Sequence, residues 1–474
     1  LQVIEEKGVG LFRFTGGQGM QKGKIRVGFV GFGEGNTPRE IIERKCRDAE
    51  ALLEAGELLE VFQTAPVSDD AAGKDVERAV KELSAANFDL LIVCLAGWIP
   101  SHAVISVADA FKHKPMVLWG LSGWKENDRF VTTAGQAGTT ALRKTFQDLG
   151  YRFKYVVNYL DAAPAVEKII RFAQAANAAS RLRGTRIGMM GWRDMNLYAT
   201  LHDGNSLRSK IGPEIEFFEM LEMAQAMEKL EQKDIDEQVN RILKAWKFEK
   251  PADDKLLKKA AALYLAIKSK VRERRYEGVS LMDVDGVKKL MQFTPAPVFM
   301  MLADQENICT IPENDALGAV TQLMTRFLTG QIGAYLEFYD FTQIGALMGV
   351  PDYVPAEVVD GPVTVTPTAF GNLSSGLLNV SKLKTGKITL CRLAYTGDQY
   401  RLHLVTGTAK RPPKWEEAGW AHPAPQLPSL EIACDGPVDD FVQNVMGQHY
   451  IISYGDHAGS FEDLCALLGV NVIC

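Results

Sequence analysis

Paired cysteines, long apolar runs and a surplus of positive charge are all missing from this chain, and each absence narrows what it can be. The seven cysteines, at positions 46, 94, 309, 391, 434, 465 and 474, are scattered, odd in number and without a CxxC pair. That pattern disfavours both a disulfide framework and a thiolate zinc site, and it fits a reducing cytoplasm. The longest apolar stretches, such as Leu90–Ile99, fall far short of the ~20 residues a membrane helix needs, so no membrane partner is expected. Lysine plus arginine number 53 against 59 acids, a formal charge of −6. The overall field therefore opposes nucleic acid, and a small molecule is the better expectation. The opening segment lacks the basic-then-apolar pattern of a secretory signal, so export is not expected. No repeat of solenoid period is visible, and 46% hydrophobic with 24% charged residues indicates neither disorder nor fibre.

What is present is an alternation. With 474 residues the chain exceeds one core, since single cores stop growing at roughly 250–300 residues. Ile25–Phe32 reads as a strand, and Pro38–Ala55 as a helix, because Ile41, Ile42, Cys46, Ala49, Leu52 and Leu53 recur at helical spacing. The pattern repeats through Leu58–Phe62, Val76–Leu83, Leu90–Cys94, Ala103–Phe111 and Pro115–Trp119. The strands among these are too apolar to leave one face in water, which predicts a parallel sheet covered on both sides. A second unit starts near Tyr151, with a helix at Ala163–Leu182, strands at Arg186–Met190 and Ile215–Met223, and a helix at Met227–Leu243. Asp253–Arg275 reads as a long exposed helix and Gly278–Met282 as a strand. The mostly basic run Arg272–Arg275 suits a helix C-terminus better than a phosphate clamp.

From about Pro351 the texture turns β-rich, with strands at Val363–Pro367, Ile388–Tyr395 and Tyr400–Thr406 between turn residues. Prolines 412, 413, 423, 425 and 428 make Lys410–Pro428 a loop. The expected fold is α/β: two doubly wound parallel-sheet domains, over residues 1–160 and 161–350, followed by a mostly β C-terminal domain over 351–474.

Three segments could carry chemistry. The turn Gly31-Phe32-Gly33-Glu34-Gly35 lies where doubly wound folds hold phosphates, but Asn36 stands where a third glycine should be and Glu34 would repel a pyrophosphate. A tight strand-to-helix turn is the better reading. The second segment, Ile311–Val320, passes from a strand into the helix Ala316–Leu328 and carries Glu313, Asn314 and Asp315. Capping explains Asp315 without requiring Glu313. The next apolar strand, Ile332–Phe338, ends near a single acid, Glu337. If the crossover between the two strands is ordinary, Glu313 and Glu337 share one sheet edge, the end where such sheets bind ligands. The third segment, Gln448–His457, offers His449 and His457, and local pattern does not choose between them. Two carboxylates and one imidazole suit a divalent ion such as Mn²⁺.

These residues resemble the L-fucose isomerase family. Glu313-Asn314-Asp315-x-Leu317, then Leu323-Met324 and Leu328-Thr329-Gly330, is similar to that family's first metal-ligand segment, with its glutamate on Glu313. Glu337, at 337 − 313 = 24 residues further on, falls at the second carboxylate, where the family has Asp. His449, with Gly455, Leu464 and Leu468, matches the segment bearing the histidine ligand, and His457 does not. The related arabinose isomerases carry a histidine soon after the second carboxylate, yet here none occurs between His202 and His403. The resemblance implies a metal-dependent aldose–ketose isomerase acting on a small-molecule sugar through an enediol. Its metal, Mn²⁺ by preference, would be held by Glu313, Glu337 and His449, with the two glutamates sharing acid–base work. It also implies a homo-oligomer, trimer or hexamer. Trp98, Trp119, Trp124, Trp192 and Phe338 are candidates for stacking on sugar faces. Two rivals stand beside this reading: a non-catalytic sugar-binding or sensing protein on the same fold, and a nicotinamide-dependent oxidoreductase using the Gly31–Gly35 turn.

Overall fold

The computed structural model describes residues 23–350, 353–368, 376–416 and 426–474. Strand β1 (Ile25–Phe32), buried from Val27 onward, opens an alternating series. It continues through α1 (Arg39–Glu54), β2 (Leu59–Val67), α2 (Lys74–Ser84), β3 (Leu90–Leu95), α3 (Ser101–Ala110) and β4 (Met116–Gly120). A hairpin of β5 (Trp124–Glu126) and β6 (Arg129–Val131) follows, then α4 (Gly135–Asp148), β7 (Phe153–Val157) and α5 (Val166–Gly184). The strands pair in parallel in the order β2-β1-β3-β4-β7. Val27, Phe29, Ile92 and Trp119 bury one face against Cys46, Leu53 and Phe172 of α1 and α5. Val30, Leu91, Val93 and Leu118 bury the other against Val104, Val107 and Phe146 of α3 and α4.

The glycine-rich turn after β1 is accounted for by the closeness of α1. A Cβ at Gly31 would lie 2.1 Å from Cys46 Sγ, and one at Gly33 would lie 2.5 Å from Ile42 Cδ1.

The second unit runs β8 (Arg186–Met190), α6 (Gly204–Lys210), β9 (Glu214–Phe218), α7 (Met220–Met227), α8 (Gln232–Ala245), β10 (Lys247–Phe248) and α9 (Asp254–Arg274). Then come β11 (Gly278–Leu281), a π-helical turn over Asp283–Lys288, α10 (Ala296–Glu306), β12 (Cys309–Ile311) and α11 (Ala316–Thr329). Its sheet is parallel, in the order β12-β11-β8-β9. Two expectations fail here. The strand expected over Ile215–Met223 stops at Phe218, and α7 takes over at Met220. Helix α9 is not exposed: Ala260, Leu263, Tyr264 and Ile267 are fully buried, because its alanine-rich face packs against α8 and α10.

The remaining elements are β13 (Ala334–Thr342), β14 (Gly345–Gly349), β15 (Thr364–Pro367), β16 (Leu377–Asn379), β17 (Gly386–Thr396), β18 (Gln399–Lys410) and β19 (Ser429–Cys434). They end with α12 (Val438–Gln443), β20 (His449–Tyr454), α13 (Ala458–Leu468) and β21 (Asn471–Ile473). Six antiparallel strands close a barrel in the order β17-β20-β13-β14-β19-β18, sealed by the β17–β18 pairing, and β21 adds in parallel beside β18. Strand β15 lies outside the barrel, between β10 and β16.

Strand β13 corrects the reading that it lies beside β12 in the parallel sheet. It pairs antiparallel with β14 and β20 in the barrel instead. The strand is apolar on both sides because Ala334 and Leu336 fill the barrel while Tyr335 turns outward into the core shared with α11. Two-sided burial mimics the pattern of a parallel strand. Residues 411–416 of the proline-rich segment form no regular element, and Pro423 and Pro425 lie outside the described residues. Among the described residues no helix is long and apolar enough to cross a membrane.

The tight α1 packing yields a coupled test. Gly31→Ala should lower the unfolding free energy in urea titration by about 1–3 kcal/mol, the usual cost of overpacking. In a Cys46→Ala background, which removes the clashing sulfur, most of that penalty should vanish. Equal penalties in both backgrounds would show that the clash is not the cause.

Candidate functional site

The chain leaves β12 through Pro312 into two consecutive left-handed residues, Glu313 at φ 63° and Asn314 at φ 49°. Asparagine tolerates this region, but for glutamate it is uncommon, and strained conformations of this kind cost about 1–3 kcal/mol. Neighbouring strands hold the kink. Glu313 N donates to Asp283 Oδ1 at 2.7 Å, Asn314 N to Leu281 O at 3.2 Å, and Asn314 Nδ2 to Met190 O at 2.9 Å.

Asp315 then caps α11, accepting from Gly318 N at 2.9 Å. It does more than cap. Its carboxylate accepts from Tyr335 Oη at 2.8 Å and from both terminal nitrogens of Arg392, with Nη2 at 3.0 Å. Both partners are essentially buried, at 1% and 2% exposure. Burial pushes the Asp315 carboxyl up, but the Arg392 guanidinium outweighs it and holds the group below the usual carboxylate range. Burial likewise disfavours the Arg392 charge, and Asp315 more than restores it.

Glu337 and His449 are direct cross-strand partners on β13 and β20. Because residues directly opposite one another share a face, this pairing alone sets the two side chains together. His449 Nε2 lies 3.5 Å from Glu337 Oε2, and its Nδ1 lies 3.6 Å from Glu313 Oε2. The imidazole thus stands between the two carboxylates and stacks on Tyr335, with centroids 4.3 Å apart and planes 13° from parallel. Gln448 Nε2 donates to Glu337 Oε2 at 2.8 Å. The side chains of His449 and Glu313 are 3% and 6% exposed and that of Glu337 is 18% exposed, so the cluster opens on the Glu337 side. A β-bulge between Phe338 and Asp340 follows Glu337 directly, a device common beside functional sites.

The structure therefore brings Glu313, Glu337 and His449 together from three elements. His457 sits elsewhere, its ring 2.9 Å from Tyr454 O and its amide donating to Thr389 Oγ1. Among the described residues, no group of three or more His, Cys, Asp or Glu is placed so that it could hold a metal ion. The donor types nevertheless suit a divalent ion, and His449 Nε2 is buried without a hydrogen-bond partner, a costly state for a ring nitrogen unless something binds it.

Several neighbours escaped sequence reasoning. Asp283, Tyr335, Arg392 and Gln448 all touch the cluster or its supports, and each does so across a long separation along the chain. His202 comes near Asp315 from the loop after β8; burial lowers its pKa, while Asp315 and Asp203 pull it back up. Trp192, 58% exposed, packs on Phe217 at 4.9 Å beside His202. Trp119, a stacking candidate by sequence, is core instead: fully buried, it donates to Asn158 Oδ1 at 3.0 Å. Cavities of about 390 and 380 Å³ lie at the other end of the second sheet, among Arg183, Arg186, Arg208 and Arg275, away from the cluster. Arg272 and Arg274 pair with Glu306 and Glu216 at 2.9 and 2.7 Å, as expected of a solvated helix end.

No family model and no curated protein matches the chain. Among solved structures it is similar to an ABC domain in complex with L-Trp from Streptococcus pneumonia, at 12% identity over 63% of this chain and 77% of that one, with a TM-score of 0.18. A second is an ABC transporter periplasmic solute-binding protein from Actinobacillus succinogenes 130z with bound D-allose, at 13% identity over 64% and 92%, with a TM-score of 0.16. Likenesses this slight carry no argument about fold or ligand.

The buried Asp315–Arg392 pair should be costly to break from one side only. Asp315→Asn strands a buried guanidinium and should cost about 3–5 kcal/mol in equilibrium unfolding. The double change D315N/R392M should recover a large part of that loss. A cost under 1 kcal/mol for the single variant would mean that the pair is not the tie it is taken to be.

Proposed function

We propose that this protein is a divalent-metal-dependent aldose–ketose isomerase working through an enediol intermediate. The observation that carries the reading is the convergence of Glu313, Glu337 and His449, at 3.5 and 3.6 Å, in a largely buried setting that opens at Glu337. Glu313, Glu337 and His449 would hold the ion, with Mn²⁺ favoured by two carboxylates and one imidazole. When bound, such an ion supplies Lewis acidity to the two sugar oxygens that exchange carbonyl and hydroxyl character.

The chain's own groups have the rest of the work. Conversion of an aldose to a ketose removes a proton from C2 and returns one to C1, while O1 gains a proton and O2 loses one. A carboxylate on each side of the reacting carbons can serve these transfers, and Glu313 and Glu337 divide them as base and acid. Glu313, locked by its left-handed backbone, has the less freedom of the two. Glu337 has one oxygen fixed by Gln448 and more contact with solvent. His449, held flat against Tyr335, acts as a ligand and spacer rather than a proton carrier. The same reading carries doubly wound sheet domains, a small sugar as substrate, a trimeric or hexameric homo-oligomer, and a cytoplasmic setting that seven free cysteines would suit.

Mn²⁺-loaded protein incubated in D₂O with a panel of aldoses and ketoses should place deuterium at C2 of the aldose or C1 of the ketose, and EDTA should abolish the exchange. Absence of exchange with every sugar, in protein that still binds Mn²⁺, would turn the conclusion to a non-catalytic sugar-binding role. Glu313→Gln with metal retained should lower turnover by ~10²–10⁴-fold, the usual worth of general acid–base help. His449→Ala should lose Mn²⁺ in a binding titration, whereas His457→Ala should keep it.

A further inference from the structure

We propose that Asp283, paired with Lys288 in the π-helical turn after β11, is the positioning residue that holds Glu313 in its functional conformation. The inference rests on the isomerase reading, because it concerns how one of that site's carboxylates is aimed.

Asp283 is fully buried and uses its two oxygens for different partners. Oδ1 accepts from Glu313 N at 2.7 Å, and Oδ2 lies 2.9 Å from Lys288 Nζ. The side chains of Lys288 and Asp283 are 5% and 0% exposed. The π-helical turn is what lets this pair form. Positions five apart diverge by about 140° on an α-helix of 3.6 residues per turn, but the wider i→i+5 turn returns them to nearly the same face. Val287 N donates to Met282 O at 3.1 Å, the five-residue spacing of such a turn. Its start is fixed by Asp194, itself fully buried, which accepts from Val284 N and Asp285 N, both at 2.7 Å. A continuous set of buried contacts thus runs from the loop after β8, through Asp194 and the turn, to the amide of Glu313.

The geometry assigns a purpose to what is otherwise an expensive arrangement. A buried ion pair is often replaceable by apolar side chains of similar volume with no loss of stability. What apolar residues cannot do is accept the Glu313 N–H and so hold a left-handed glutamate in place. Groups that orient metal ligands in this way typically contribute 10–100-fold to metal affinity.

Mn²⁺ titration by electron paramagnetic resonance, with thermal unfolding in parallel, separates positioning from packing in the full chain. D283N/K288M keeps an acceptor oxygen without leaving a buried charge and should bind Mn²⁺ within about threefold of the unmodified protein. D283L/K288M removes the acceptor and should bind ~10–100-fold more weakly, at a similar unfolding temperature. Equal affinity in the two doubles would overturn the positioning role while leaving the isomerase reading intact. No Mn²⁺ binding by the unmodified protein would instead bring down that reading, and this inference with it. If D283L/K288M does not fold, D283A/K288M takes its place with the same expectation. If none of the doubles folds, the pair is a folding determinant and the positioning role is again overturned.

Discussion

Asp315 is the point at which three parts of the molecule are tied. Its carboxylate caps the buried helix α11, accepts the hydroxyl of Tyr335 from β13, and meets the guanidinium of Arg392 from β17. Arg392 in turn reaches Ala199 O in the loop after β8 at 3.2 Å. In surroundings this dry, neither charge is tolerable alone, so the two surfaces that bear them must meet in one relative position. Helix α11 lies between them, packed on β12 and β11 on the sheet side and on β17 and β20 on the barrel side. Glu313 stands two residues before Asp315 and Tyr335 two residues before Glu337, so the same tie that joins sheet to barrel fixes the spacing of the acidic cluster.

The electrostatic contrast across a few ångströms is part of the design. Asp315 is fully matched and structurally committed. Glu313, Glu337 and His449 are gathered close by, and the His449 ring nitrogen facing Glu337 has no hydrogen bond. Beside this fully satisfied carboxylate, the neighbouring cluster keeps one open side, at Glu337.

Much of the α/β framework was legible in the sequence, since strands buried on both faces announce themselves as unbroken apolar runs; β1, β3, β4, β8 and β11 are of this kind. The barrel was not legible as a barrel. β13 is apolar on both faces for a different reason, and nothing local distinguishes a strand between two cores from one inside a parallel sheet. Helix α9 has the sequence pattern of an exposed helix because alanine marks a buried face by small size and not by strong hydrophobicity. In the site, the acids at 313 and 337 drew attention through their places at strand ends, while the choice of His449 over His457 came from family resemblance. The contacts of Asp283 with Glu313 and of Arg392 with Asp315 stayed invisible because they span 30 and 77 residues, beyond any local pattern.

The direct opposition of Glu337 and His449 on β13 and β20 has a wider consequence. Side chains along a strand alternate between faces, so a shift of one residue would exchange Glu337 for Leu336 or His449 for Tyr450, carrying a polar group into the barrel interior. The meeting of Glu337 and His449 is therefore encoded in the phase of two strands, as a vernier is set by the alignment of two scales. A lineage of such proteins could vary its loops widely and keep this pair together. It could not change the length of either strand by an odd number of residues between its fixed ends and the pair without separating the two side chains.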